Sequence, residues 1–251
     1  MLNHPTLANL LALRLTGMAQ ALSEHMALPA SQALSCEERL GLLVDRELTL
    51  RSHRRLTTRL RQATLRVRAS LEDLDSRHPR GLDKALLLRL ASCHWVHERH
   101  NVLLTGPTGM GKTWLACAWG HQACREGYTV LSLRLPRLLQ ELPIAKGDGR
   151  YPQLMAPLAK TAFLILDDWG LATLNDANRR DVLELVEDRH GRGATLVTSP
   201  LPVDHWHAAL GDPTLAEAIL DRLLHNAYKM TLRGESMRKR HPPVKDEVPT
   251  S

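Results

Sequence analysis

The residues with the clearest chemical potential are Gly106-Pro107-Thr108-Gly109-Met110-Gly111-Lys112-Thr113, spaced as Gly-x4-Gly-Lys-[Ser/Thr]. Glycines at these places let backbone N–H groups turn inward around a phosphate chain, and a helix starting behind them adds its positive dipole end. The lysine of such a loop reaches the β- and γ-phosphates, and the hydroxyl after it goes to Mg2+. Lys112 and Thr113 are the candidates for those tasks, and Trp114 is a further candidate nucleotide contact. The flanks suit the motif: Val102-Leu103-Leu104 reads as a strand, and Trp114-Leu115-Ala116-Cys117-Ala118-Trp119 as a helix. A ligand-free glycine-rich turn would not need that frame. The chain is expected to bind a nucleoside triphosphate, ATP with Mg2+.

A second element completes the chemistry. Phe163-Leu164-Ile165-Leu166-Asp167-Asp168 is an apolar run ending in two acids, the Walker B arrangement of a buried strand that delivers carboxylates to a metal. Asp167 is the expected Mg2+ ligand together with Thr113, and Asp168 the carboxylate that orients or deprotonates an attacking water. Two acids after an apolar strand say little alone; behind a phosphate loop they point to ATP hydrolysis.

These groups need a scaffold that brings two strand ends together. Strand-like runs at 102–104, 129–134, 162–166 and 194–198 alternate with helical stretches at 82–91, 114–119, 135–142, 153–160, 175–190 and 213–226. Such alternation predicts an α/β fold, a parallel sheet flanked by helices. Residues 1–80 show no strand-like alternation and predict a small all-α domain. Within it, one amphipathic segment is expected over about Thr6–Met26, and a second opens at Ser35-Cys36-Glu37-Glu38, a capping-box signature, and runs to about Ala69. The expected division is a helical domain at 1–70, a linker at 71–81, an ATPase domain at 82–238 and a basic tail at 239–251.

The helical domain carries Arg51, Arg54, Arg55, Arg59, Arg61, Arg66 and Arg68 with no acid between them. At about 100° per residue they gather on one side of a helix, with Leu56, Leu60, Ala63 and Val67 on the other. Solvated faces usually mix signs, so this stripe is read as a grip on the phosphate backbone of DNA. Apart from Gln62, no aromatic or amide side chain stands among the arginines in the way that base reading requires. A formal charge of +6 fits a polyanionic partner, and aromatics at 4% argue against base stacking. Cys36, Cys93, Cys117 and Cys124 lack Cys-x-x-Cys spacing, and no apolar stretch suits export or spanning, so a cytoplasmic protein without membrane contact is expected. Cys93, His94, His97 and His100 match no standard zinc spacing and read as polar surface.

Longer strings carry a family resemblance. Gly106–Thr113, Leu164-Ile165-Leu166-Asp167-Asp168-Trp169-Gly170, the run 211–223 and Leu232-Arg233-Gly234-Glu235-Ser236-Met237-Arg238-Lys239 together resemble the IstB family. Leu15-Thr16-Gly17-Met18-Ala19 and Glu37-Glu38-Arg39-Leu40-Gly41-Leu42-Leu43 fit as well, so the resemblance spans nearly the whole chain. IstB proteins are AAA+ helper ATPases encoded beside the transposase of bacterial insertion sequences. The resemblance implies a P-loop AAA+ fold, double-stranded DNA and a cognate transposase as partners, and a homo-oligomer. It implies that Arg222 is an arginine finger acting on a neighbouring subunit's nucleotide and that Arg238 is the second sensor in its own subunit. It places the first sensor near Thr198-Ser199-Pro200, where many AAA+ proteins carry an asparagine that this chain lacks. It likens 135–160 to the helical insert of initiator-type AAA+ proteins, with Arg137, Lys146 and Arg150 as candidate DNA contacts. A helicase loader acting on a replicative helicase and single-stranded DNA is the alternative within the same fold. A small-molecule phosphotransferase would leave the arginine stripe unexplained.

Overall fold

The apolar runs beside the glycine-rich loop and the acid pair become inner strands of a parallel sheet. The computed structural model describes residues 5–27, 34–75, 81–234 and 236–237. Its contacts divide into two units, Met1–Thr58 and Arg59–Ser251.

The smaller unit is helical: α1 (Pro5–Ala12), α2 (Thr16–Ala27) and the first part of α3 (Cys36–Ala63). The single segment expected over Thr6–Met26 is two helices. Arg14 takes a left-handed φ of 58°, and Leu15 N–H closes back on Leu10 O at 2.8 Å, which ends α1. The capping box that opens α3 forms: Glu38 N–H donates to Ser35 Oγ at 3.2 Å, and Ser35 N–H to Glu38 Oε2 at 2.7 Å. Glu47, a buried acid on α3, accepts from Gly17 N–H (2.6 Å) and Met18 N–H (3.2 Å) and so satisfies the N-terminus of α2.

The larger unit holds the C-terminal end of α3, then α4 (Lys84–Ala91), α5 (His94–His97), β1 (Asn101–Thr105), α6 (Lys112–Arg125) and β2 (Val130–Arg134). There follow α7 (Leu135–Gly147), α8 (Tyr151–Lys160), β3 (Phe163–Asp167), α9 (Asp176–Arg189), β4 (Ala194–Ser199), α10 (Trp206–Leu210), α11 (Pro213–Leu224) and β5 (Ala227–Thr231). Among the described residues five strands form one sheet in the order β2-β3-β4-β1-β5, every pair parallel. This is the α/β sheet that the alternation predicts, with β5 added at the edge. β1, β3 and β4 are buried at every position. Each fully buried leucine there contributes about 1.5–3 kcal/mol, which holds these strands in the sheet interior. Leu103, Leu164, Leu166 and Val197 point to one face, under α7, α8, α9 and α11. On the other face α6 packs closely, and Trp95 meets Phe163 edge-on at 4.9 Å.

The helix expected through Ala69 ends at Ala63. Thr64 takes φ 51° and donates its hydroxyl to Ser132 O at 2.8 Å, while Ala69 packs with Cys117 and Ala118 on α6. Tertiary contacts override helix propensity at this point. Residues 59–70, which the sequence assigns to the helical domain, therefore pack in the larger unit. A Cβ on Gly120 of α6 would lie 2.8 Å from Leu65 Cδ2 and 3.0 Å from Ile165 Cδ1. We expect Gly120→Val to overpack this contact and cost about 1–3 kcal/mol, measured by urea denaturation, with Gly147→Ala, which meets nothing within 4 Å, as the neutral control.

Candidate active site

All strands run one way, so the loop after β1 and the acids after β3 emerge at the same edge of the sheet. β4 lies between them and presents its own C-terminal residues to both. The loop needs its glycines: Gly106, Gly109 and Gly111 have φ of 137°, 88° and 87°. A Cβ on Gly106 would stand 2.3 Å from Leu232 O. Lys112 Nζ donates to Gly106 O (2.6 Å) and Pro107 O (2.9 Å), lying across the loop it would serve. α6 begins at Lys112, so its N-terminal amides face the loop. Thr108, Lys112, Thr113 and Trp114 line a cavity of about 410 Å3 that Asp168, Val67 and Met237 also border. That volume suits a small ligand. Larger open grooves of about 510 and 640 Å3 are lined by no residue of the glycine-rich loop.

The acids converge on the loop hydroxyl. Thr113 Oγ1 lies 3.0 and 3.1 Å from the two carboxylate oxygens of Asp167, whose side chain is 2% exposed. Thr198 Oγ1, at the end of β4, donates to Asp167 Oδ1 at 2.5 Å and accepts from Asp168 N–H at 3.2 Å. The strand-end polar group that meets the acids is therefore Thr198; Ser199 Oγ instead donates to Trp169 O at 2.8 Å. Asp168 sits at φ 66°, a conformation Asp tolerates better than most residues and one that accumulates at working sites. Its carboxylate is held by Arg134 Nε at 2.7 Å. Thr113 and Asp167 form a hard, all-oxygen donor set, which fits a cation that takes one or two protein ligands and completes its shell with phosphates and water.

Two contacts here escape the sequence reading. Arg134 ends β2 in register with Asp167 on β3, so matched strand ends in a parallel pair were the available signal. Arg66, assigned above to the DNA stripe, instead donates from Nη1 to Asp167 Oδ2 at 2.9 Å and lies 3.7 Å from Asp168 Oδ2. It is past the end of α3, as is Arg68, and neither belongs to a helical stripe.

Of the five stripe arginines that lie on α3, Arg51 pairs with Glu47 at 2.7 Å and Arg59 donates to Cys124 O at 3.0 Å. Arg54, Arg55 and Arg61 are exposed. Between β2 and β3 stand two helices where the insert was expected. On them Arg137 pairs with Glu141 (2.9 Å) and Arg150 with Asp148 (2.5 Å). Lys146 bonds Asp181, a buried acid, and stands 4.9 Å over the Tyr151 ring, while its own side chain stays 43% exposed.

Arg222 lies at the far edge of the sheet. Asn101, the first residue of β1, donates to Arg222 O (3.2 Å) and Leu223 O (3.1 Å), whereas the glycine-rich loop follows the last residue of β1. A five-residue strand spans roughly 17 Å. The guanidinium pairs with Glu187 at 3.0 Å and lies 3.9 Å from Asp221. Arg238 lies outside the described residues, but Met237 N–H donates to Gly109 O at 2.9 Å, so the chain reaches the loop one residue earlier.

Among the described residues no group of three or more His, Cys, Asp and Glu side chains is placed to hold a metal. His94 and His100 instead lie beside Glu98, at 3.4 and 3.3 Å, and Cys93 is buried, its thiol pushed up to about 12 by burial. Among the described residues, no helix is long and apolar enough to cross a membrane.

Residues 8–243 match the family described as IstB-like ATP binding protein. An insertion-sequence ATP-binding protein of Sinorhizobium fredii is 52% identical over 239 residues, 95% of this chain and 98% of that one. The ATP-binding protein of insertion sequence IS1162 from Pseudomonas fluorescens is 56% identical over 203 residues, 80% of this chain and 88% of its own. Among solved structures, DnaI superposes with a TM-score of 0.58 at 22% identity, over 66% of this chain and 92% of that one. This last is a likeness of fold alone.

The contact between Thr198 and the acids can be tested without ligand. Thr198→Val keeps the shape but leaves a fully buried carboxylate oxygen and the Asp168 amide short of a partner. We expect a loss of about 1–3 kcal/mol in urea denaturation, and Thr198→Ser to restore most of it.

Proposed function

Because this chain belongs to the IstB-like ATP-binding protein family, and its loop, acids and strand-end threonine meet at one sheet edge, we propose an ATPase of insertion-sequence transposition. In this reading it assembles on duplex DNA and recruits or activates a transposase at the target. The observation that carries the ATPase is the convergence of Thr113 and Thr198 on the buried carboxylate of Asp167, with Asp168 beside it.

The roles follow from position. The loop amides and the α6 N-terminus bind the phosphate chain, and Lys112 leaves its carbonyl partners for the β/γ-oxygens. Thr113 and Asp167 hold Mg2+, which when bound neutralises charge on the β- and γ-phosphates. Asp168 accepts a proton as the water oxygen bonds to the γ-phosphorus and the bond to the β-phosphate oxygen breaks, leaving ADP and phosphate. For that its carboxylate must turn from Arg134. Thr198 holds both acids in place. Met237 at Gly109 supports the reading of Arg238 as a residue of the same site.

Arg222 serves a different nucleotide. It is a strand's length from its own loop, so the charge it offers is available to a neighbouring subunit once it leaves Glu187. Hydrolysis then depends on assembly. Arg54, Arg55 and Arg61 support the DNA contact, as exposed cations on the stretch 51–63 of α3, which carries no acid. The helicase-loader alternative shares this nucleotide site, but the relatives similar along most of the chain bear insertion-sequence names, whereas the DnaI likeness is one of fold.

The test is complementation. Asp168→Asn and Arg222→Ala proteins should each bind ATP and each lose turnover by at least about a hundredfold, as expected when a base or an arginine finger is removed. Mixed, they should recover activity, because interfaces joining an intact Asp168 to an intact neighbouring Arg222 reappear. Mixtures as inactive as the separate proteins would contradict a finger acting between subunits.

A further inference from the structure

Arg66 has no place in the mechanism above, yet it contacts the central acid of the site. Its Nη1 is 2.9 Å from Asp167 Oδ2, and the same carboxylate also takes the hydroxyls of Thr113 and Thr198. The two ends of the pair differ sharply: the Asp167 side chain is 2% exposed and Arg66 is 47% exposed. The arginine is thus a cation at the mouth of the site, placed on the oxygens that a divalent cation would take. Both need the same lone pairs, and like charges at that separation repel.

The segment carrying Arg66 is held against β2 and α6 beside the site. Thr64 sits in a left-handed conformation that is strained for a β-branched residue and is pinned by its hydroxyl to Ser132 O. Burial pushes the Cys117 thiol up, and the backbone amides of Val67 and Arg66 draw it partly back. Val67 borders the nucleotide cavity.

We propose that Arg66 is a positioning residue that competes with Mg2+ for Asp167, so that loading with Mg2+ and ATP displaces it and loosens residues 64–70. This rests on the ATPase reading, since it concerns the same carboxylate. Without Mg2+ the guanidinium balances the acid beside the phosphates and favours ATP. With Mg2+ it opposes the metal. Removing it therefore moves the two affinities in opposite directions, which loss of structure alone does not do.

The experiment titrates Mg2+ into ATP-loaded protein, following bound fluorescent ATP analogue, and compares wild type, Arg66→Ala and Arg66→Lys. Arg66→Ala should weaken binding of the analogue without Mg2+ and lower the Mg2+ concentration at half-saturation by about fivefold or more, the usual size of such couplings. Arg66→Lys keeps the charge, and since only Nη1 makes the close contact, it should stay near wild type. In wild-type protein, hydrogen exchange over 64–70 should quicken when Mg2+ is added to the ATP-bound form, which covers the case in which the alanine variant does not fold. An unchanged or raised Mg2+ requirement in Arg66→Ala, or exchange over 64–70 that Mg2+ leaves unchanged, overturns the proposal. Wild-type protein that binds no analogue with or without Mg2+ removes the ATPase reading itself, and this proposal with it.

Discussion

The carboxylate of Asp167 is an acid almost sealed from water, and burying it demands that nearly every lone pair find a donor. Thr113, Thr198 and Arg66 meet that demand, and they come from three separate places: the start of α6, the end of β4 and the segment after α3. One buried charge thereby fixes the loop, the neighbouring strand and the entry segment relative to each other. The same oxygens that must be satisfied within the protein are the ones a divalent cation would use, so any ligand chemistry at this site rearranges contacts that hold the fold.

The strand order β2-β3-β4-β1-β5 makes this possible. With β4 inserted between β1 and β3, the loop and the acids stand apart by one strand, and the end of β4 falls between them. Parallel strands also give the sheet two unlike edges. The nucleotide loop occupies one and Arg222 the other, and an arginine cannot cross that width within its own subunit. Under the proposed function the reaction is divided between neighbouring copies, and a DNA partner that gathers copies would control it.

The loop, the acid pair and the parallel sheet were legible because each is written in contiguous residues: glycine spacing at 106–111, a buried run ending at Asp167, and alternation of strand and helix. The capping box at Ser35 and Glu38 was legible for the same reason. β5 was not, since Ala227–Thr231 is half exposed and carries Lys229 and Tyr228, so no apolar run announces it. The end of α3 was also hidden. Periodicity continues smoothly past Ala63, and only Ser132, Cys117 and Asp167, all distant in sequence, turn the chain there. That misplacement carried Arg66 into the arginine stripe, when its charge answers an acid far along the chain. Lys146 shows the same limit, an exposed cation that pairs with a buried aspartate.

Under the proposed function, ATP at this site drives assembly on duplex DNA. The most direct measurement is particle mass by light scattering, with duplex or single-stranded DNA and with ATP, ADP or neither. Large particles that require both ATP and duplex, and that are absent from Lys112→Ala protein, are the predicted result. A chain that stays a single copy with ATP, or that shows no preference for duplex, would contradict the account and leave Arg222 without a neighbour on which to act.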